Sequence, residues 1–176
     1  TNLVAHLPAQ EGVAAAAELN SKFTAEEVES ALLKMHNGRM AGPDGLRGEL
    51  FKGAYFEVEL AEGRIKHMYQ LSEDICAIFN AAFARGQVPK AWCEAFLSAV
   101  FKSGDASSLD NYRGIAVGSA LGKLYSMVIE SRLATFCEEH GHRAQGQAGF
   151  RDDHRTSDNV FVLKHLIDKY RSNKKH

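Results

Sequence analysis

Two basic residues stand at the facing ends of two apolar runs, Lys102 closing Phe96-Leu97-Ser98-Ala99-Val100-Phe101-Lys102 and Arg113 opening Tyr112-Arg113-Gly114-Ile115-Ala116-Val117. A Lys and an Arg on neighbouring strands can donate to the oxygens of a triphosphate from fixed positions, without the ordering entropy of a loop. Taken alone, each is more often a solvated surface charge or half of a salt bridge. A second candidate is Gln147-Ala148-Gly149-Phe150-Arg151. There Gly149 lets a backbone approach closely, Phe150 can pack on a sugar or base, and Arg151 can meet a phosphate. The alternative is a loop with Phe150 buried as a helix anchor, and for Phe150 core packing is the stronger reading. Cys137, His140 and His142 form C-x-x-H-x-H without the second pair that a four-ligand zinc site needs, so no metal site is expected there. The nucleophile motif G-x-S-x-G, a P-loop and G-x-G-x-x-G are all missing.

These residues need a scaffold, and the composition provides for one. The 176 residues, 45% hydrophobic and 24% charged, suit a single folded domain with one main core. No apolar run approaches the roughly 18 residues of a membrane span, so no membrane partner is expected. The chain opens on Thr1 with neither a basic start nor a long apolar stretch after it, and reads as an excised piece. Three cysteines, Cys76, Cys93 and Cys137, make an odd number without paired spacing, which argues against a disulfide framework. Net charge is -1, yet the halves differ: 9 basic and 13 acidic residues up to Val100, 12 and 9 from Phe101 onward. Contact with a polyanion therefore belongs to the second half.

Residues 1–22 read as a loose leader or marginal helix, and ordered structure is expected from Phe23. Thr24 and Glu27 form a capping box, Phe23 and Val28 a hydrophobic staple, and Val28, Ala31, Leu32 and Met35 one helical face, with Asn37-Gly38 as the stop. Gly42-Pro43-Asp44-Gly45 is a turn before a short helix near Leu46 to Lys52, with Asp44 read as a helix cap. Tyr55 to Gln70 has no clear period and reads as a helix or an insertion. Ser72 is expected to cap a helix that carries Ile75, Ile78, Phe79, Ala82 and Phe83 on one face and stops at Arg85-Gly86. The two apolar runs predict an antiparallel ribbon with a long Ser103–Asn111 loop, its first strand buried on at least one face. Ser119 opens a long helix running to Gly141, and a last helix is capped near Thr156 or Ser157.

Four stretches in this order resemble the N-terminal part of the reverse transcriptase domain of non-LTR (LINE-type) retrotransposons. They are Ala41-Gly42-Pro43-Asp44-Gly45-Leu46; Gly86-Gln87-Val88-Pro89-Lys90-Ala91-Trp92 leading to Val100-Phe101-Lys102-Ser103-Gly104-Asp105; Asn111-Tyr112-Arg113-Gly114-Ile115; and Gln147-Ala148-Gly149-Phe150-Arg151 followed by Arg155-Thr156-Ser157-Asp158. One departure is Gly114, where many relatives carry Pro after the Tyr-Arg pair. The resemblance implies an α+β, predominantly helical unit over residues 23–176: the fingers and early palm of a right-hand polymerase, with a short antiparallel ribbon. It implies triphosphate contacts at Lys102 and Arg113, template-primer contacts at Gln147, Gly149, Phe150 and Arg151, and a fingertip turn at Gly42, Pro43, Asp44 and Gly45. The implied partners are an RNA template, a DNA primer, a dNTP and the remainder of palm and thumb, and the nucleus is implied as the compartment.

Such polymerases hold two Mg²⁺ ions on palm carboxylates. The resemblance places these on a strand beyond His176 and on a later aromatic-x-Asp-Asp hairpin. Phe150-Arg151-Asp152-Asp153 imitates the second pattern but lacks flanking apolar strands, and reads as a solvated pair with helix N-terminal charge. The expectation is a piece that binds rather than catalyses, with no catalytic residue of its own and Mg²⁺ held by the full-length parent. Two alternatives stay open: a non-catalytic nucleic-acid-binding module derived from such an element, and a helical protein-interaction domain.

Overall fold

The computed structural model describes residues 17, 19–59, 65–144, 146–149, 151 and 153–172. Helices and strands are mixed, in the order α1 (Ala25–Lys34), α2 (Gly48–Gly53), β1 (Tyr55–Glu59), β2 (Ile65–Tyr69), α3 (Ser72–Arg85), β3 (Ala95–Phe101), β4 (Tyr112–Gly118), α4 (Ala120–Glu139) and α5 (Thr156–Ser172). The chain divides into two units, Thr1–Ser131 and Arg132–His176.

The first unit is built on helices. At the start of α1, the Thr24 hydroxyl accepts the Glu27 N–H at 3.3 Å and the Glu27 carboxylate accepts the Thr24 N–H at 2.8 Å, the reciprocal box expected from the sequence. At the other end, the Lys52 ammonium of α2 donates to the carbonyls of Leu33 and Met35, while Glu49 accepts the Gly38 N–H. A second helix thus satisfies groups that the end of α1 leaves open. Helix α2 starts at Gly48 without a side-chain cap, because Asp44 binds the Leu46 N–H at 3.1 Å instead. Asp44 is structural, as expected, but it closes an Asx turn rather than capping the helix.

Ser72 also differs from expectation: it is the first helical residue of α3 rather than its cap, and its hydroxyl donates to the Tyr69 carbonyl at 2.8 Å. The far end agrees, with Gly86 at φ +62° and its N–H turned back to Ala82 and Phe83. At α4, the Ser119 hydroxyl accepts the Gly122 N–H at 3.3 Å. The core joins Phe23, Val28, Ala31, Leu32 and Met35 to Phe51, to Ile75, Cys76 and Phe79 of α3, and to Leu124, Tyr125 and Val128 of α4. Its centre is aromatic: Phe79 meets Tyr125 at 5.1 Å and Trp92 at 5.7 Å edge-on, and Phe23 meets Phe83 at 5.0 Å. Asn80 ties the entry of the chain to α3, accepting the Phe23 N–H at 2.8 Å and donating to the Phe23 carbonyl at 3.0 Å.

The segment expected as a helix or an insertion holds two paired strands rather than a helix. β1 and β2 pair antiparallel from Tyr55↔Tyr69 to Glu59↔Ile65, and Gln70 N–H donates to Ala54 O at 2.8 Å across the base. Tyr55 stacks on His67 at 4.6 Å, and His67 Nε2 lies 3.4 Å from Glu57 Oε1. Five-residue strands carry little period of their own, and cross-strand pairing supplies what the sequence window lacks.

β3 and β4 form the second two-stranded sheet, antiparallel from Ala95↔Gly118 to Phe101↔Tyr112. The ribbon is as expected, but its burial is not. Every residue of β3 is exposed, with Phe96 at 53% and Leu97 at 80%, because the helices α1, α3 and α4 close the core among themselves.

In the second unit, α5 begins at Thr156, so the cap position falls on Arg155 rather than on Thr156 or Ser157. Asp158 reaches back to accept the Arg155 N–H at 2.8 Å. Val160, Leu163, Ile167 and Tyr170 of α5 are all exposed.

Candidate nucleotide and nucleic-acid interface

Lys102 follows β3 directly, and its N–H donates to the Asn111 carbonyl at 2.8 Å, which adds a rung to the ladder. Arg113 pairs with Val100. By pleat alternation Lys102 and Arg113 fall on the same face as diagonal neighbours, with backbones about 7–8 Å apart. Both are exposed, and among the described residues neither forms an ion pair. The two cations therefore share one face of a hydrogen-bonded ribbon and stay available to an anion.

Their spacing depends on a locked loop. Gly104 adopts φ +94°, a conformation other residues rarely take, and lies against the Asn111 side chain. Asp105 accepts the Ser107 N–H at 2.9 Å and the Ser107 hydroxyl at 2.7 Å, which hold its carboxyl below the ordinary value of 3.8. Asn111 Nδ2 donates to the Asp105 carbonyl at 2.9 Å, and the Tyr112 hydroxyl to the Ala106 carbonyl at 3.0 Å. Gly104, Asp105, Asn111 and Tyr112 thus hold Lys102 and Arg113 in register. Their positioning role was not legible beforehand, although Gly-Asp at one end of the loop and Asn-Tyr at the other were its signal.

The turn over Gly42, Pro43, Asp44 and Gly45 closes through Gly45 N–H to Gly42 O at 3.0 Å, with Gly45 at φ +71°. Gly42 is buried, and a Cβ there would lie 2.4 Å from the Gly118 carbonyl oxygen. The turn is seated on the junction of β4 with α4, at the base of the ribbon. Trp92, from another of the motif stretches, packs its Cβ 3.0 Å from the Cβ position of Gly122 and its ring 5.5 Å from Tyr125. These motif residues join the ribbon to the core.

In the second unit Gln147 and Gly149 are exposed, and nothing lies within 4 Å of the Cβ position of Gly149. Phe150, with its expected core packing, and Asp152 lie outside the described residues. Arg151 is held by a carboxylate: its Nη2 lies 2.7 Å from Glu138 Oε2, while Arg143 Nη1 lies 3.1 Å from Glu138 Oε1. The sequence reading missed Glu138, whose signal is an acid at a helix C-terminus. His140 stacks on Phe136 at 4.1 Å, and His142 lies 5.4 Å from the same ring. Among the described residues no three His, Cys, Asp or Glu side chains converge on a point that could hold a metal ion. The described residues therefore do not fit the paired Mg²⁺ ions of phosphoryl transfer.

No protein-family model matches the chain. Curated proteins do. The chain is 27% identical over 150 residues, 85% of its length, to the transposon TX1 uncharacterized 149 kDa protein of Xenopus laevis. It is 32% identical over 98 residues, 54% of its length, to the probable RNA-directed DNA polymerase from transposon BS of Drosophila melanogaster. To the RNA-directed DNA polymerase from mobile element jockey, also of Drosophila melanogaster, it is 30% identical over 92 residues, 52% of its length. The matched regions span 10–11% of each of these longer proteins. In these relatives, as in the order of its four motif stretches, the chain is similar to the reverse transcriptase region of non-LTR retrotransposon proteins.

Proposed function

We propose that the chain is the fingers and early palm of an RNA-directed DNA polymerase of a LINE-type retrotransposon, binding the RNA template, the DNA primer and the dNTP triphosphate. The observation that carries this reading is the pair Lys102 and Arg113, exposed and without ion-pair partners among the described residues, on one face of a ribbon whose loop is locked. Two cations on one face suit a polyphosphate, since ammonium and guanidinium both donate to its oxygens and the ribbon fixes the backbone that carries them. Gln147, Gly149, Phe150 and Arg151 are assigned to the template-primer backbone, and the open space beside Gly149 supports that assignment. The remainder of palm and thumb is the fourth partner. The exposed apolar residues of β3 and α5 support this, because a two-stranded ribbon gains stability by packing on further structure.

The test is binding of a fluorescent RNA–DNA primer-template, with and without dNTP, across a salt series. Lys102→Ala with Arg113→Ala is expected to abolish the dNTP-dependent gain and to flatten the log-affinity against log-salt slope by about 2 or less. Binding that ignores both salt and the double substitution would instead favour a protein-interaction domain.

A further inference from the structure

Glu138 and Glu139 end α4, and the last turn of that helix carries no basic residue. Two carboxylates at the negative end of a helix oppose its dipole. A locally unfavourable choice of this kind points to a tertiary or functional demand. Here the demand is two guanidiniums, Arg143 at 3.1 Å and Arg151 at 2.7 Å, each on a different oxygen of Glu138. The side chains of Arg143 and Arg151 are 19% and 21% exposed and that of Glu138 is 37% exposed, so the carboxylate between them can be reached from solvent.

Resting on the nucleic-acid reading above, we propose that Arg143 and Arg151 are a phosphodiester-binding pair whose place is held in the unliganded chain by the Glu138 carboxylate. A carboxylate and a phosphodiester each offer two equivalent oxygens and one negative charge, and a guanidinium fork accepts either. Exchange of one for the other leaves both arginines where they are. The trio carries one net positive charge, so a nucleic-acid backbone is drawn to it, and Glu138 is an internal competitor that weakens binding. Arg143 thereby joins Arg151 as a contact residue, and Glu138 acts through both as a positioning residue.

The decisive variant is Glu138→Gln, which keeps the shape and removes the charge. Binding of a fluorescent RNA–DNA hybrid to the full 176-residue chain is measured by anisotropy over a salt series. The expected result is an affinity about 5- to 10-fold tighter at low salt with a slope steeper by about 1, reversed by adding Arg143→Ala. Wild-type binding with an unchanged or weaker Glu138→Gln overturns this proposal and leaves the nucleic-acid reading standing; no binding by either protein overturns both. If Glu138→Gln loses helix content by far-UV circular dichroism, Arg143→Ala alone decides. A several-fold loss of affinity with a slope lower by about 1 supports the pair, and unchanged affinity overturns it.

Discussion

Gly42→Ala tests whether the motif turn is a seat for the ribbon. The added Cβ would stand 2.4 Å from the Gly118 carbonyl oxygen, 2.5 Å from the Gly118 carbonyl carbon and 2.8 Å from the Ser119 nitrogen. An unstrained carbon contact needs about 3.5 Å, so the turn and the junction must separate by about 1 Å. All three atoms are backbone, and no side-chain rotation relieves the clash. Overpacking of this kind costs about 1–3 kcal/mol, and for a chain of this size each kcal/mol lowers Tm by about 2–4 °C. The expected fall is roughly 2–12 °C by far-UV circular dichroism, with faster amide exchange in β4 beside Gly118. Gly53→Ala is the control: nothing lies within 4 Å of its Cβ position, and it ends α2. It should leave Tm unchanged or raise it slightly, since Ala is the better helix former by about 1 kcal/mol. A Gly42→Ala protein that melts with the wild type, or a Gly53→Ala protein that falls as far, would refute the close seat.

Phe79→Ala, at a position with 0% exposure in the aromatic centre, should cost about 3–5 kcal/mol, read as a lower urea midpoint. Gly149→Ala meets open space and should leave Tm unchanged; if hybrid affinity is also unchanged, the template role of Gly149 is lost. On the acid side, Glu49 and Asp105 are held below their ordinary values of 4.5 and 3.8, first by backbone hydrogen bonds from Gly38 and Ser107 respectively. A depressed carboxyl contributes stability that is complete above its unfolded pKa and is lost as pH falls through the folded one. Urea midpoints should therefore hold down to about pH 5 and drop below it, and Glu49→Gln should shrink the drop. Burial raises the Tyr125 phenol above its ordinary 10.0, so its contribution is intact below that pH and fades as pH climbs past it; Tyr125→Phe should flatten the alkaline limb.

The helices and their ends were written locally. Thr24 with Glu27, Ser119 before α4 and Gly86 after α3 act within one turn of the residues they serve, so spacing alone reveals them. The ribbon, too, could be read as two apolar runs about a polar break, and its Lys102 and Arg113 as facing ends. Chain order similarly exposed the four motif stretches, which the transposon relatives support. Only pairing across distance decided that Tyr55–Glu59 and Ile65–Tyr69 are paired strands, because Tyr55 meets His67 and Tyr69 through a register that no short window contains. Burial was likewise tertiary. Apolar content marks what can be covered, but the helices α1, α3 and α4 fill the core and leave β3 exposed. The loop lock at Asp105, Asn111 and Tyr112 and the bridge at Glu138 belong to the same class: their partners stand 5 to 13 residues away, and only the folded backbone sets those distances.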